Sequence, residues 1–213
     1  MLFMRDGGVS QKGAEPMAQD VSRTVEAFPI DLVVDLVNEW GTVPRAVAGE
    51  SDEAYPTLAE FIAAHPALRA VGSPHAEGDL VAAADRLHPV FAAADAASTA
   101  ALLNELVDDA ALALRLEAGG ETSELALVHA AWRQAGDASG STRVLGSAVV
   151  ALVDWLRDEP DADRLGICEG DACADVYVDA SPAGRRRFCS LTCQNRVRTR
   201  AYRAQQRAAA TRS

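Results

Sequence analysis

Apolar positions along this 213-residue chain fall into two periods, helical over most of its length and two-residue in one short stretch. From Phe28 to Trp40 (FPIDLVVDLVNEW), Leu32, Val33, Leu36 and Val37 recur at helical spacing, which predicts a buried helix ending near Gly41. Residues 41–55 are turn-rich, and Thr57 to Ala63 starts a second short helix. The breaker stretch Val71-Gly-Ser-Pro-His75 precedes a long Ala-rich helical region. Pro89 is expected to start or kink its second part, because proline cannot donate the interior hydrogen bond. Ser98 or Thr99 is a candidate cap for the next helix, 100–109, which carries Leu102, Leu103 and Leu106 on one side. The period then changes. Leu112, Leu114 and Leu116 alternate, as do Leu125, Leu127 and His129, around Ala118-Gly-Gly-Glu-Thr-Ser123. That pattern predicts a small β-hairpin, with continuous helix as the alternative that the alanine content favours. A polar loop at 136–141 leads to a last amphipathic helix, Thr142 to Arg157, and the acidic stretch 158–163 reads as an exposed linker.

Charge divides the chain more sharply than hydropathy does. The net formal charge is −11, yet residues 164–213 carry ten Arg against Glu169, Asp171, Asp175 and Asp179, a balance of +6. The other 163 residues therefore sum to −17. A cationic segment of this kind supplies the phosphate-binding part of nucleic-acid affinity, while the acidic bulk repels it. The bulk could also mask the basic segment until something separates the two. With 49% hydrophobic residues and no unbroken apolar run near 18 residues, a globular, cytoplasmic protein with no membrane span is expected. The first 27 residues lack an apolar signal region and read as a flexible leader, in which Met4 or Met17 could be the true start.

All four cysteines lie in that basic segment, as Cys168-x4-Cys173-x15-Cys189-x3-Cys193. Two close pairs of thiols separated by a loop suit a tetrahedral ion, because each short spacing presents two sulfurs to one centre. A four-thiolate shell favours Zn²⁺ over the hard cations, so one structural zinc is expected, with disulfides or a redox pair as the alternatives. Between the pairs, Asp175–Asp179 and Arg185–Phe188 flank an Ala-Ser-Pro-Ala-Gly turn, which predicts a second hairpin. Cys189 and Cys193 are four apart, as on the first turn of a helix, where the dipole favours thiolates. A turn, a hairpin and a helix sharing one zinc make a treble-clef-like arrangement. The fold class expected is therefore mainly α (α+β). A helical domain (28–157) bearing a small β-hairpin is followed by a linker (158–163), a four-cysteine zinc finger (164–208) ending in a basic helix, and a tail (209–213).

From Gln194 to Thr211 the chain has no Gly or Pro and should continue as helix. Arg196, Arg200, Arg203 and Arg207 then share one face, beside a small-residue face of Val197, Ala201, Ala204 and Ala208. Guanidinium groups bind phosphates or read guanine edges, so these four, with Arg185, Arg186, Arg187 and Asn195, are the candidate nucleic-acid contacts. Asn195 suits base reading or backbone capping equally, and the bland reading of the whole face is a solvated or internally paired one. No enzyme is expected. The four histidines (His65, His75, His88 and His129) are scattered, and no G-x-S-x-G, phosphate loop or H-E-x-x-H is present. A four-cysteine site also leaves zinc no open position for catalytic water.

Ile167-Cys-Glu-Gly-Asp-Ala-Cys173, Val176-Tyr-Val-Asp-Ala-Ser181, Arg185-Arg-Arg-Phe-Cys189 and Cys193-Gln-Asn-Arg196 together resemble the CGNR zinc finger. That family typically pairs the finger with an N-terminal ABATE domain, described as a stress-induced transcription regulator of bacteria. Leu32-Val-Val-Asp-Leu-Val-Asn38 is similar to the opening of such domains. The resemblance implies a DNA-binding regulator whose N-terminal domain senses an effector or dimerises. A structural or RNA-binding module is the alternative. The eponymous glycine is Gln194 here, a strained position if the glycine has positive φ and a harmless one if it is simply helical.

Overall fold

The computed structural model describes residues 22–71, 76–119 and 127–210. At its centre is helix α1 (Ile30–Trp40), whose Leu32, Val33, Leu36, Val37 and Trp40 are all buried, as the helical spacing predicts. It packs against α4 (Glu77–Phe91) and α6 (Gly140–Asp158). In α6, nine consecutive residues from Val144 to Leu152 are buried, so this helix is covered on every side. The oxygens of Asp79 tie the starts of these two helices together, accepting the backbone N–H of Ala76 and of Ser141 at 3.0 Å each.

Residues 41–55 are more ordered than a run of turns. They form helix α2 (Thr42–Ala48), which ends on Gly49 at φ 83°, followed by a loop organised by a buried arginine. Arg45 donates to the carbonyls of Glu50 and Glu53, and its guanidinium lies 4.3 Å over Tyr55. Tyr55 in turn stacks on Trp40 at 5.5 Å. Helix α3 (Leu58–Ala64) is capped by Thr57 and followed by a 3-10 turn at Pro66–Val71.

Pro89 does not start a new helix, because α4 runs through it and ends two residues later. The break falls instead at residues 92–95. Asp95, not Ser98 or Thr99, caps α5 (Ala96–Asp109), accepting the Ser98 N–H at 2.7 Å. A carboxylate caps as well as a hydroxyl, and its position one turn earlier explains the difference.

The change to period two marks a real hairpin. Strands β2 (Leu112–Gly119) and β3 (Leu127–Ala135) pair antiparallel in the register Leu112↔Gln134, Leu114↔Trp132 and Leu116↔Ala130. A short strand β1 (Ser22–Thr24), inside the expected leader, adds to β3 and gives the order β1-β3-β2. The connecting turn and Leu125, like most of the leader and both alternative starts, lie outside the described residues. His129 is on β3 as expected but is an exposed residue rather than a packing one, facing Glu117 at 4.0 Å. Buried Gln134 fastens the sheet to the helices, its Nε2 donating to the carbonyls of Ala110 and Thr142. The site requires Gly146, since a Cβ there would stand 2.7 Å from that nitrogen.

The cysteine segment does not hang from the helical body on a linker. Strands β4 (Leu165–Ile167) and β5 (Val176–Val178) pair antiparallel, and Leu165, Val176 and Val178 belong to the same hydrophobic core as α1, α4 and α6. The second hairpin is therefore formed with the strand before Cys168. Residues 185–188 form no strand, although Glu169 N–H reaches Arg187 O at 2.9 Å. Asn38 seals the join from α1. Its Nδ2 donates to Val176 O at 3.1 Å and its Oδ1 accepts Val176 N–H at 2.7 Å. His88 of α4 adds a 3.3 Å contact to Ala174 O. Residues 158–163 end in a 3-10 turn, Ala162–Arg164, and Arg164 donates to the carbonyls of Asp179 and Ser181. No helix among the described residues is long and apolar enough to cross a membrane.

Replacing Asn38 by alanine leaves the Val176 N–H and carbonyl without their partners at a closed join. The expected cost is about 1–3 kcal/mol of stability, read from urea unfolding followed by far-UV circular dichroism. An unchanged midpoint would show that the strand holds to the body through apolar contact alone.

Candidate metal centre and basic helix

Cys168 leaves the end of β4 and Cys173 returns toward β5, so one tight loop carries the first pair of sulfurs. Cys168 N–H donates to Asp175 O at 2.8 Å, which closes the loop at its base. Inside it, Ala172 adopts φ 52°, a left-handed conformation that costs a non-glycine residue energy and persists where the surroundings enforce it. Gly170 donates its N–H to Cys168 Sγ at 3.4 Å, and a Cβ there would press on that sulfur and on the Cβ atoms of Cys193 and Cys173.

The second pair comes from the start of α7 (Leu191–Ala210). Ser190 caps this helix, accepting Cys193 N–H on its hydroxyl and Gln194 N–H on its carbonyl. Cys189 sits just outside the first turn and Cys193 within it, where the helix dipole favours negative sulfur.

All four thiol sulfurs lie within 4.8 Å of one another, with Cys173–Cys189 at 3.7 Å and Cys189–Cys193 at 3.6 Å. Zinc–sulfur bonds of about 2.3 Å place the sulfurs of a tetrahedron about 3.8 Å apart, so the spacing fits one zinc ion. It does not fit disulfides, whose sulfurs lie about 2.05 Å apart, and all four cysteines are free. Burial pushes the Cys173 thiol up to about 12 and raises Cys189 as well. At Cys193 burial opposes ionisation, but hydrogen bonds from Ser190 and the neighbouring cysteines outweigh it and hold the thiol below its ordinary value. A divalent cation resolves the conflict, since it supplies the charge that makes four adjacent thiolates stable and ties the loop to the helix.

The candidate nucleic-acid residues separate into two groups. Arg186 is a scaffold residue. Its three guanidinium nitrogens donate to the carbonyls of Phe188, Val178 and Cys189, and its backbone N–H donates to Asp179 at 2.7 Å. Arg187 forms a two-pronged ion pair with Glu169, which holds that carboxyl below its usual range. Arg200 meets Asp171 at 2.5 Å. The side chains of Arg185, Arg196 and Arg203 have no hydrogen bond or ion pair among the described residues, and all three are exposed. The Asn195 side chain is also exposed and forms no hydrogen bond there, so the capping role falls to Ser190 instead. Thr192, Asn195, Arg196, Arg200, Arg203 and Arg207 line one open groove along α7. Gln194 lies inside the regular helix with no positive φ, so its backbone needs no glycine. It faces the opposite groove, with Phe188, Leu191, Val197 and Arg198.

The CGNR zinc finger model matches residues 164–206. The matched segment contains β4, β5, all four cysteines and most of α7, so the finger seen in the geometry and the one seen in the comparison coincide. Curated proteins give no match to the chain.

Sequence reasoning missed Asp179, which holds the finger's central loop. It is buried and accepts the N–H groups of Ser181 and Arg186 at 2.9 and 2.7 Å. An Asp two residues before a Ser, at the head of a Pro/Gly turn, is the local signal for such a bond.

The finger is expected to hold one zinc per chain, measured on the purified protein by elemental analysis, and Cys173→Ser should abolish stoichiometric retention. Because β4 and β5 sit in the common core, chelation should also lower the melting temperature of the helical body. Asp179 gives a separate test. Hydrogen bonds from Ser181, joined by Arg186 and opposed by burial, hold its carboxyl below the usual aspartate value. Its stabilisation is therefore present above the unfolded aspartate pKa near 4 and is lost as pH falls through the lower folded value. Asp179→Asn should destabilise the neutral protein by about 1.5–3 kcal/mol, a gap that narrows on acidification below about pH 4.

Proposed function

We propose that the chain is a DNA-binding transcriptional regulator and not an enzyme, with α7 as its DNA-contacting element. One observation carries this reading. Helix α7 is 20 residues long, buries only Cys193, and carries five arginines and no acidic residue. A helix of that length extends about 30 Å, and one of its diameter enters a major groove. The zinc centre fixes its first turn, and the rest projects from the body. Arg196 and Arg203 stand ready for phosphate, Asn195 is placed on the same groove for a base edge, and Arg200 would exchange Asp171 for phosphate. Among the described residues, Arg187 and Arg200 pair with Glu169 and Asp171 of the finger itself, while Arg164 at the join pairs with Glu159. The helical body, similar in its first helix to an ABATE domain, is the place for an effector to act.

The test is fluorescence anisotropy of the full chain on its own promoter region and on unrelated duplex, across a salt series. Tight binding to one site is expected, weakening steeply with salt. Arg203→Ala should cost affinity similarly on every sequence and reduce the salt slope by about 1, as loss of one phosphate contact does. Asn195→Ala should narrow the preference between sites. Arg186→Ala should act on stability instead. Equal, weak binding to both duplexes with zinc retained would overturn the regulator reading in favour of a structural or RNA-facing module.

A further inference from the structure

The β2–β3 hairpin carries a surface that neither the core nor the finger uses. One face of its sheet is charged, with Arg115, Glu117, His129 and Arg133. The other holds Leu114, Leu116, Val128, Ala130 and Trp132, as the antiparallel register requires. Near the body this second face is covered, at Leu112 and Gln134. Toward the hairpin tip it is open, with Leu114 53%, Leu116 75% and Val128 68% exposed. Apolar residues clustered so openly on one sheet face mark a surface that is covered by something.

The edge of the sheet says what covers it. In the order β1-β3-β2, strand β2 is terminal, so among the described residues all eight positions of Leu112–Gly119 present an unpaired edge. Natural edges of this length are usually blunted by proline, a bulge or charge; β2 has no proline and no bulge, and its two charges are of opposite sign. Its two charges flank Leu116 symmetrically. Arg115 precedes it without an ion-pair partner among the described residues, and Glu117 follows it, held loosely by Arg133 at 3.4 Å. We propose that β2 is a homodimer interface, pairing antiparallel with β2 of a second copy about a two-fold axis at Leu116.

The pattern is self-complementary, as an isologous contact must be. An antiparallel pair centred on Leu116 sets Arg115 directly opposite Glu117 of the second copy, and the reverse, on one face of a continuous sheet. Directly opposed charges of unlike sign stabilise a strand pair, and like charges destabilise it. On the other face the two Leu116 side chains meet and join the two apolar patches. The β3 edge offers no equivalent length, because β1 already pairs with it at Arg133–Ala135 and Val25 N–H bonds Trp132 O. This interface is independent of whether α7 binds DNA.

Sedimentation of the full chain across a micromolar concentration series tests the proposal. Wild-type protein should dimerise. Arg115→Glu sets a carboxylate against Glu117 of the second copy at both crossings, and Glu117→Arg likewise sets a guanidinium against Arg115. Each should weaken dimerisation by roughly tenfold or more while keeping the wild-type circular dichroism spectrum. Mixed together, the two variants should form a heterodimer, because one then presents two acidic groups to the two basic groups of the other. A misfolded variant cannot produce that recovery. A wild-type monomer, an undiminished Arg115→Glu dimer, or a mixture no more dimeric than its components would each overturn the two-fold at Leu116.

Discussion

Helix α7 buries a single side chain along twenty residues, so no apolar stripe can hold it against the rest of the protein. Its position depends on four sulfurs gathered within 4.8 Å. Two of them come from a loop closed onto β5 and two from the helix start, and a cation between them is a cross-link in place of a hydrophobic face. The direction in which the α7 arginines project follows from that constraint. A basic helix released from its first turn would keep its charge but lose any fixed direction. With the cysteines joined, a face of Arg196, Arg200 and Arg203 projects at a set angle from a rigid base.

The base is rigid because the finger is not an independent module. Segments of about 45 residues rarely support a core of their own. This one instead lends Leu165, Val176 and Val178 to the core of the helical body and receives both hydrogen bonds of Asn38 in return. Helix α1 is thus bonded directly to β5, which connects Cys173 to the loop of Asp179 and Arg186. That is a short mechanical path from the helical body to the zinc centre. Separating the two would expose a shared core, which disfavours release of the finger as a whole.

Elements whose signal is local were legible in the sequence. The helical spacing of Leu32–Val37, the alternation from Leu112 to Leu116 and the paired cysteines each state their outcome within a few residues, because periodicity reports a buried face directly. The matching of partners was not legible. Within 175–179 a strand forms at Val176–Val178, but it pairs with β4 rather than with 185–188. A strand chooses the neighbour that completes a buried face, and the apolar Leu165 and Ile167 offer one where three consecutive arginines do not. Helix α2 was hidden for a similar reason. Its Gly, Pro and acidic neighbours read as turns, and only Arg45, reaching back to three separate carbonyls, makes the segment a compact unit. At the candidate site the ligands were evident from spacing. The division of the arginines into scaffold and surface was not, since sequence gives charge without giving partners.

That division bears on how a chain with net charge −11 could approach a polyanion at all. Surface ion pairs contribute little to stability, about 0–1 kcal/mol, so Arg187–Glu169 and Arg200–Asp171 are not needed to hold the finger together. They do place two carboxylates beside cations near the zinc loop, which lowers the positive potential close to the body. Further along α7 no acidic residue follows, and the potential rises with distance from the acidic bulk. Projection of the helix and segregation of charge thus act together. Beyond Arg200 the helix carries Arg203 and Arg207 and no carboxylate, and repulsion from charges more than the roughly 8–10 Å screening length away is largely lost. On the proposed DNA-binding reading, the far end of α7 is where a polyanion would be met first.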